Sequence, residues 1–574
     1  MSKPALSRRM LLGAVGTGTA GTYLAPAGPA SAAPAQAVAA GDTVLELASR
    51  ADAPTSTVPA EVAAIRTAGY AAPGDGGGAL YRRLAEEPVP PRAWHLSTAG
   101  GAWWEIADEV VSVRALGAKG NYDEATTPID PSNDDTAAFL AAAELDRVIH
   151  VPATPHAYRV EKSILLKRDG TTWYGDGYES KIVLTSIATG VGQLIGISGE
   201  PPTRPDGDPA RTVRGVRVSG LHLDTRNSVN NNGLGMSFAR DVRVDDMYFS
   251  RIGRKAVTCQ YHCHDSHVRD VTVEASAQER YSQAAAISVE GQTAGLTYSN
   301  GVVAVDRFGA DMTNLTFDTV SCAASGYSYA VVSNARRVTL ANLDFGDVTG
   351  NLDENGNRQA GAFVVFTRTV QDSVVRSVRG GNSIRKMIWF GAAVQRCMVE
   401  DFRFGATTGA AGDGHAIHCE GPANTVRDGS FAHRNTASTA ILVGGADVTL
   451  AGVHVTECAS NLVVGMTTSA ARLSLLGSTL YPGTAVAFQV TNACLIQGNR
   501  FMATGAPTVG RFDATGNRFL GNHLAGSGSG RLVVGTAASA IISGNVFGGA
   551  SSVDFQGGSL AASVFTGNLG ATAE

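Results

Sequence analysis

The sequence predicts an all-β chain wound into stacked parallel coils, a β-solenoid, and three observations predict it. Beyond about Val213, short runs of branched and aromatic residues recur, each followed by Gly, Asn, Asp or Ser: Val216-Arg217-Val218, Val242-Arg243-Val244, Val271-Thr272-Val273, Val338-Thr339-Leu340, Val374-Val375-Arg376 and Val448-Thr449-Leu450. A second series runs beside the first: Val257-Thr258-Cys259-Gln260, Ile287-Ser288-Val289-Glu290, Ile388-Trp389-Phe390-Gly391, Ile417-His418-Cys419-Glu420 and Ile441-Leu442-Val443-Gly444. Its last two intervals are 417 − 388 = 29 and 441 − 417 = 24 residues, within the ~20–50 residue periods of solenoids and propellers. Each repeat holds short strands and no segment of helical periodicity, which favours stacked β coils. A solenoid presents a long flat face, and long faces suit long polymers.

Composition agrees with a turn-dense β protein. The chain of 574 residues has 68 Gly and only 17% charged residues, yet 44% are hydrophobic, enough for a large elongated core and too many for disorder. The net charge of −5, with no basic stripe, excludes nucleic-acid binding through bulk charge.

The N-terminus reads as an export signal. Ser7-Arg8-Arg9-Met10-Leu11-Leu12 resembles the twin-arginine motif, an apolar stretch covers residues 10–24, and Ala30-Ser31-Ala32 is a cleavage site of the A-x-A type. The expected division is a signal peptide over 1–32, a small head over 33–110 and the solenoid over 111–574. No later run approaches the ~18 apolar residues of a membrane-spanning helix, so the mature protein is expected to be secreted, with no membrane partner. Seven cysteines, an odd number, exclude complete intramolecular pairing. Cys259 and Cys419 fall at inward strand positions and read as buried thiols. Cys259 and Cys263 lie near His262 and His264, but no second pair at zinc spacing follows, and no metal site is expected.

In the head, Asp75-Gly76-Gly77-Gly78 leads into Ala79-Leu80-Tyr81-Arg82 and reads as a turn before a strand; the Lys-Ser/Thr ending of a phosphate loop is missing. Trp103-Trp104-Glu105-Ile106 closes this region. Then come Val113-Arg114-Ala115-Leu116-Gly117-Ala118-Lys119-Gly120-Asn121 and Asn133-Asp134-Asp135-Thr136-Ala137-Ala138-Phe139. Together they resemble the opening motif of the pectate-lyase superfamily, right-handed parallel β-helix proteins that include polygalacturonases, polysaccharide lyases and tailspike depolymerases. Asn121 stands where that family usually has Asp, and an insertion with Pro128 and Pro131 separates the two halves. The resemblance implies a right-handed parallel β-helix, a polysaccharide partner, and a monomer or homotrimer; no heptad region accompanies the trimeric option. The residues themselves support a capping helix from Thr136 to about Glu144, N-capped by Asp134 or Asp135, with Ala137, Phe139, Leu140 and Ala143 available to close the open end of the stack. Val148-Ile149-His150-Val151, Tyr158-Arg159-Val160, Ile164-Leu165-Leu166 and Tyr174-Gly175-Asp176-Gly177 follow as first coils.

Strand alternation assigns faces. Ile417 and Cys419 point inward, His418 and Glu420 outward; likewise Ser288 and Glu290, and Thr258 and Gln260, face out. Trp389 is outward and beside His418 on the next coil. The connections before these strands vary most in length, at 224–235, 276–283, 349–360 and 405–414, and variable loops beside one sheet make the walls of a cleft.

Two clusters carry chemistry. Asp413-Gly414-His415-Ala416-Ile417-His418-Cys419-Glu420 puts two carboxylates and two imidazoles within eight residues, and glycoside hydrolysis needs two carboxyl groups ~5–9.5 Å apart. The catalytic candidates are Glu420, Asp413, Glu290 and His418. Trp389, His415 and Asp353 are candidate substrate contacts, Asp353 from the exposed Asn351–Asn357 loop. Gly414-His415 faintly matches the Gly-His-Gly of polygalacturonases, but Ala416 replaces the last Gly and the remaining motifs are missing. The second cluster, Arg254, Lys255, His262, His264 and Asp265 with Glu279, Arg280, Tyr281 and Glu290, has the bases and cations a uronate lyase uses to neutralise a carboxylate and abstract the C5 proton. Lys255, His262 and Arg280 are its substrate-binding candidates. No cofactor is expected; in a lyase, Ca²⁺ is an alternative to Arg or Lys for neutralising the carboxylate, though no Asp/Glu constellation for the ion stands out in the sequence.

The expectation is an exported enzyme cleaving glycosidic bonds of an extracellular polysaccharide, as a carboxylate hydrolase ahead of a lyase. A non-catalytic glycan-binding or adhesion β-helix is the alternative of another class, and uronate epimerisation a further one.

Overall fold

The computed structural model describes residues 44–185, 192–202, 209–228, 230–274, 285–291, 312–325, 328–348, 351–352, 358–359, 362–409, 414–467, 470–483, 485–503, 508–525, 530–536, 538–548, 551–570 and 572–573. The expected signal peptide lies outside them.

From Val110 onward the chain is a right-handed parallel β-helix with three long faces. The first face stacks Ile164–Leu166, Gly192–Ser198, Asn231–Arg240 and the start of Val257–Val273, then Ala285–Glu290, Ser328–Ser333, Val364–Thr367, Ile388–Phe390, Ile417–Cys419 and Ile441–Val443, each in parallel register with the next. The second starts with Val110–Ser112, Val148–Val151 and Thr172–Gly175, the third with Tyr158–Val160 and Lys181–Leu184. Branched and aromatic residues alternate inward on all three and fill one continuous core. Stacking is favourable because each coil's apolar interior is exposed until a neighbour covers it.

Between the second and third faces the chain turns through a left-handed residue on successive coils: Asp401 at φ 49°, Asp428 at 54°, Gly452 at 59°. Asp, Asn and Gly tolerate this region best. Gly452 also meets a close approach, since a Cβ there would sit 2.6 Å from Asp428 Oδ1.

Near the C-terminus the same corner carries Asn499, Asn522, Asn545 and Asn568, spaced 23 residues apart. Each of the first three donates Nδ2–H to the next Asn's Oδ1, at 3.0, 3.1 and 2.9 Å. Each also donates to a backbone carbonyl of the preceding coil: Leu475, Ile496 and Phe519. The ladder satisfies buried polar groups inside the coil while Phe488, Phe501, Phe512 and Phe519 pack together in the same core.

The N-terminal end is closed as expected by a helix, Thr136–Glu144. One of the two expected capping residues makes the cap bond, and the packed face differs from the expectation. Asp134 supplies the cap, accepting from Thr136 N at 2.9 Å. Asp135 makes no cap bond; its buried carboxylate accepts from the backbone N–H groups of Lys119, Gly120 and Arg159, tying the glycine turn to the first coil. Phe139 and Ala143 are buried, but Ala137 is exposed and Leu140 half-buried, while Ala138, Ala141 and Ala142 pack inward.

Before the coils, Val44–Leu47, Ala64–Thr67, Leu80–Arg83, His95–Ser97 and Trp103–Ile106 form a separate five-stranded sheet. Tyr81 and Trp104 are fully buried there, and their cluster is continuous with the coil interior. All seven cysteines are free, and only Cys458 is not fully buried. Cys259 and Cys263 are core residues, and burial pushes the Cys263 thiol up to about 12.

Candidate functional site

The first face brings the residues of one sequence cluster together. Ile388–Phe390 pairs with Ile417–Cys419 so that Trp389 stands opposite His418, as alternation requires. Glu420 follows the strand, held by its backbone N–H to Phe390 O at 2.8 Å. Its side chain is one-third exposed (34%). Glu420 Oε1 accepts the indole N–H of Trp389 at 3.2 Å and lies 3.4 Å from His418 Nε2. The His415 ring centroid is 5.1 Å from that of His418, and His415 Nδ1 donates to Thr439 O at 2.7 Å, which fixes the proton on that nitrogen.

Lys386 was not anticipated. Its ammonium lies 4.8 Å from the Trp389 ring centre, a cation–π contact. Lys386 precedes Trp389 by three residues, as His415 precedes His418. Buried residues Met387 and Ile388, and Ala416 and Ile417, intervene. The shared three-residue spacing around a bend was the available signal. It also changes the reading of Trp389: with Lys386 on its ring and its N–H on Glu420, the indole positions the carboxylate and is not an open stacking platform.

Glu290 occupies the same outward column as Glu420, but the column runs through Ser333, Thr367 and Gly391 between them. Four coil steps at ~4.8 Å separate the two by ~19 Å, too far for the ~5–9.5 Å of a hydrolytic pair. Glu290 and Lys255 form a buried ion pair, 5% and 3% exposed. Ser288 Oγ donates to Glu290 at 2.6 Å and Gln260 Nε2 at 3.4 Å. Burial alone would raise the Glu290 pKa; the Lys255 charge and these donors outweigh it and hold the carboxyl below its ordinary value. Tyr261 lies close enough to feel the Glu290 charge, and burial raises its phenol. His262 lies on the same long strand, edge-on to His264 at 4.9 Å. Asp413, Asp353 and Arg280, with Glu279 and Tyr281, lie outside the described residues.

The two clusters thus differ chemically. At Lys255 and Glu290 the charges neutralise each other out of water. At Glu420 a partly exposed carboxylate, oriented by an indole N–H, sits beside an imidazole and so can exchange a proton with a bound molecule or with His418.

No protein-family model and no curated protein matches the chain. Among solved structures, tailspike protein 2 of an Escherichia coli O157:H7 bacteriophage is similar at 12% identity and a TM-score of 0.40, over 79% of this chain and 51% of that one. The bacteriophage phi29 gene product 12 in its pre-mature form is similar at 14% and 0.43, over 81% and 56%. The Streptococcus pneumoniae surface protein and adhesin PfbA is similar at 14% and 0.43, over 74% and 99%. The chain spans about half the length of the two phage proteins.

Proposed function

We propose that this protein is an enzyme, exported by the twin-arginine route, that cleaves glycosidic bonds of an extracellular polysaccharide on the first face of its β-helix. The observation that carries the reading is the Glu420 carboxylate, partly exposed and oriented by Trp389 and His418 from two adjacent coils. Glu420 serves as the proton-transferring carboxyl group, Trp389 and His418 hold it, and Lys386 and His415 line the approach. The second carboxyl group of a hydrolase is then Asp413, on the segment entering the strand, since Glu290 is ~19 Å away. A lyase centred on Lys255 draws less support, because that ammonium is buried against Glu290.

The test is digestion of neutral, fructan, uronate and acidic bacterial polysaccharides by the mature protein, with mass spectrometry of the products. Products carrying an added water, lost in Glu420→Gln, support the hydrolase. Products without that water and absorbing in the ultraviolet replace it with a lyase. Unshortened polymer that still binds the protein makes it a glycan-binding β-helix.

A further inference from the structure

The insertion that splits the opening motif builds a second place of interest on another face. Residues 122–129 cross the outside of the third face, where Tyr122, Ala157 and Val183 pack with Ile129. Tyr122 and Ala157 exchange backbone hydrogen bonds at 3.0 and 3.1 Å. Glu124 pairs with both Lys181 and Arg251, and the same two cations hold Asp224, which is fully buried. Arg226 Nη1 donates to the Tyr122 hydroxyl at 3.1 Å. The insertion is thereby clamped by ion pairs spanning three coils, and a cavity of 220 Å³ opens beside it, lined among others by Glu124, Thr154, His156, Tyr178, Glu179 and Lys181.

Tyr178 is the unusual member. Half of this residue is exposed (50%), yet its ring is fixed. It lies 4.4 Å from the His222 ring and meets Tyr248 edge-on at 5.6 Å, while its own carbonyl accepts from His222 Nδ1 at 3.1 Å. A large aromatic surface held rigidly in water at the rim of a polar cavity is a low-entropy contact for an amphipathic ligand. The cations Lys181 and Arg251 are matched by Glu124 and Asp224, so Asp123 and Glu179 leave the cavity wall net negative, and Glu274 adds its negative charge beside Tyr178. That field repels anions and accepts neutral or cationic groups.

We propose that this cavity is a second saccharide subsite that seats one neutral or amino-sugar residue on the Tyr178 ring, a reading that rests on the polysaccharide function proposed above. The site is separate from Glu420. Seven successive strand pairings on the first face lie between their coils, about 34 Å at ~4.8 Å each. It therefore tethers polymer long enough to reach both places and leaves short substrates unaffected.

The experiment compares Tyr178→Ala and Tyr178→Phe with the parent in the mature protein. Binding of neutral gluco-oligosaccharides, chitosan oligosaccharides and oligogalacturonides is titrated in a Glu420→Gln background, so that no turnover intervenes, and KM is measured on long and short forms of any polymer the parent cleaves. The expected result is that Tyr178→Ala weakens binding of a neutral or amino oligosaccharide about tenfold, that Tyr178→Phe restores it, and that KM rises for long polymer only. Tyr178-dependent binding without cleavage of any polymer would uphold this site and remove the enzyme reading. Cleavage with a polymer KM unchanged by Tyr178→Ala would overturn this site alone. Tight binding confined to the oligogalacturonides, or binding of none of the three, would overturn it as well.

Discussion

The indole N–H of Trp389 donates to Glu420 Oε1 at 3.2 Å, from one coil of the helix to the next. Because Trp389 also carries the Lys386 ammonium on its ring, its substitution separates positioning from stacking. Trp389→Phe keeps a ring for Lys386 and removes the donor. If the indole orients the carboxylate, kcat falls roughly tenfold or more, the worth of ~1.5–3 kcal/mol for a hydrogen bond to a charged group, with KM little changed. A raised KM at constant kcat would instead make Trp389 a sugar platform. Steady-state kinetics on one defined oligosaccharide decides.

Glu420→Gln preserves shape and removes the ionisable proton. General acid–base catalysis is worth about 10²–10⁴-fold, so product release is expected to drop by at least a hundredfold while thermal unfolding shifts by no more than a degree or two, the side chain being one-third exposed. Full activity in this variant would take Glu420 out of the mechanism.

Lys255 and Glu290 make the opposite case. Removing one partner of a buried pair leaves a charge without its counter-ion, at a cost of about 3–5 kcal/mol. Lys255→Met is expected to lower the unfolding free energy by that amount, read from denaturant titration, and to leave kcat within about threefold when assayed well below Tm. In the parent, the depressed Glu290 pKa contributes stability that is present above the ordinary carboxyl range and lost as pH falls through the folded value; Lys255→Met abolishes that contribution. A variant as stable as the parent but unable to release unsaturated product would return Lys255 to a catalytic role.

His222 gives a pH signature. Burial, then the Lys181 charge, push its pKa from the ordinary 6.5 down to about 4. The folded protein keeps the ring neutral while the unfolded chain takes up a proton below 6.5. Stability is therefore undiminished above that pH and falls as pH drops toward 4, by up to ~3 kcal/mol. The Ser250 hydroxyl, 2.7 Å from His222 Nε2 and 2.9 Å from Asp224 Oδ2, has one proton for two acceptors. His222→Gln should flatten the slope of stability against pH between 6.5 and 4.5; an unchanged slope would assign it to other groups.

These cases mark what the sequence could carry. Alternation of inward and outward side chains gave the directions of Trp389, Ile417, His418, Cys419 and Glu420, because parity is local. It gave Glu290 the correct outward direction but not its burial, just as Val331 and Val365 point outward and are buried. Nor could parity count the coils between Glu290 and Glu420, since the connections between strands vary in length. Lys386 escaped because the chain bends between it and Trp389, which breaks the two-residue period. Asp135 escaped for a similar reason: its acceptors are satisfied by Lys119 and Gly120 from another segment, while only the helix beginning next to it was visible as a local pattern.

The asparagine ladder shows the same limit and permits a graded test. Gly-Asn recurs at 498, 521, 544 and 567, readable as turns, but the turn side chains point inward and bond between coils. Asn522 sits in the middle: its Oδ1 accepts from Asn499 N and Nδ2, and its Nδ2 donates to Ile496 O and Asn545 Oδ1. Alanine at 522 strands buried donors and acceptors on both neighbouring coils, each at about 1–3 kcal/mol where water cannot reach. Asn568 lies at the ladder's outer end and donates to Ile542 O. Asn522→Ala is therefore expected to destabilise by at least ~2 kcal/mol more than Asn568→Ala, measured by urea denaturation. Equal losses would mean that each rung contributes only its own turn and that the inter-coil bonds add nothing.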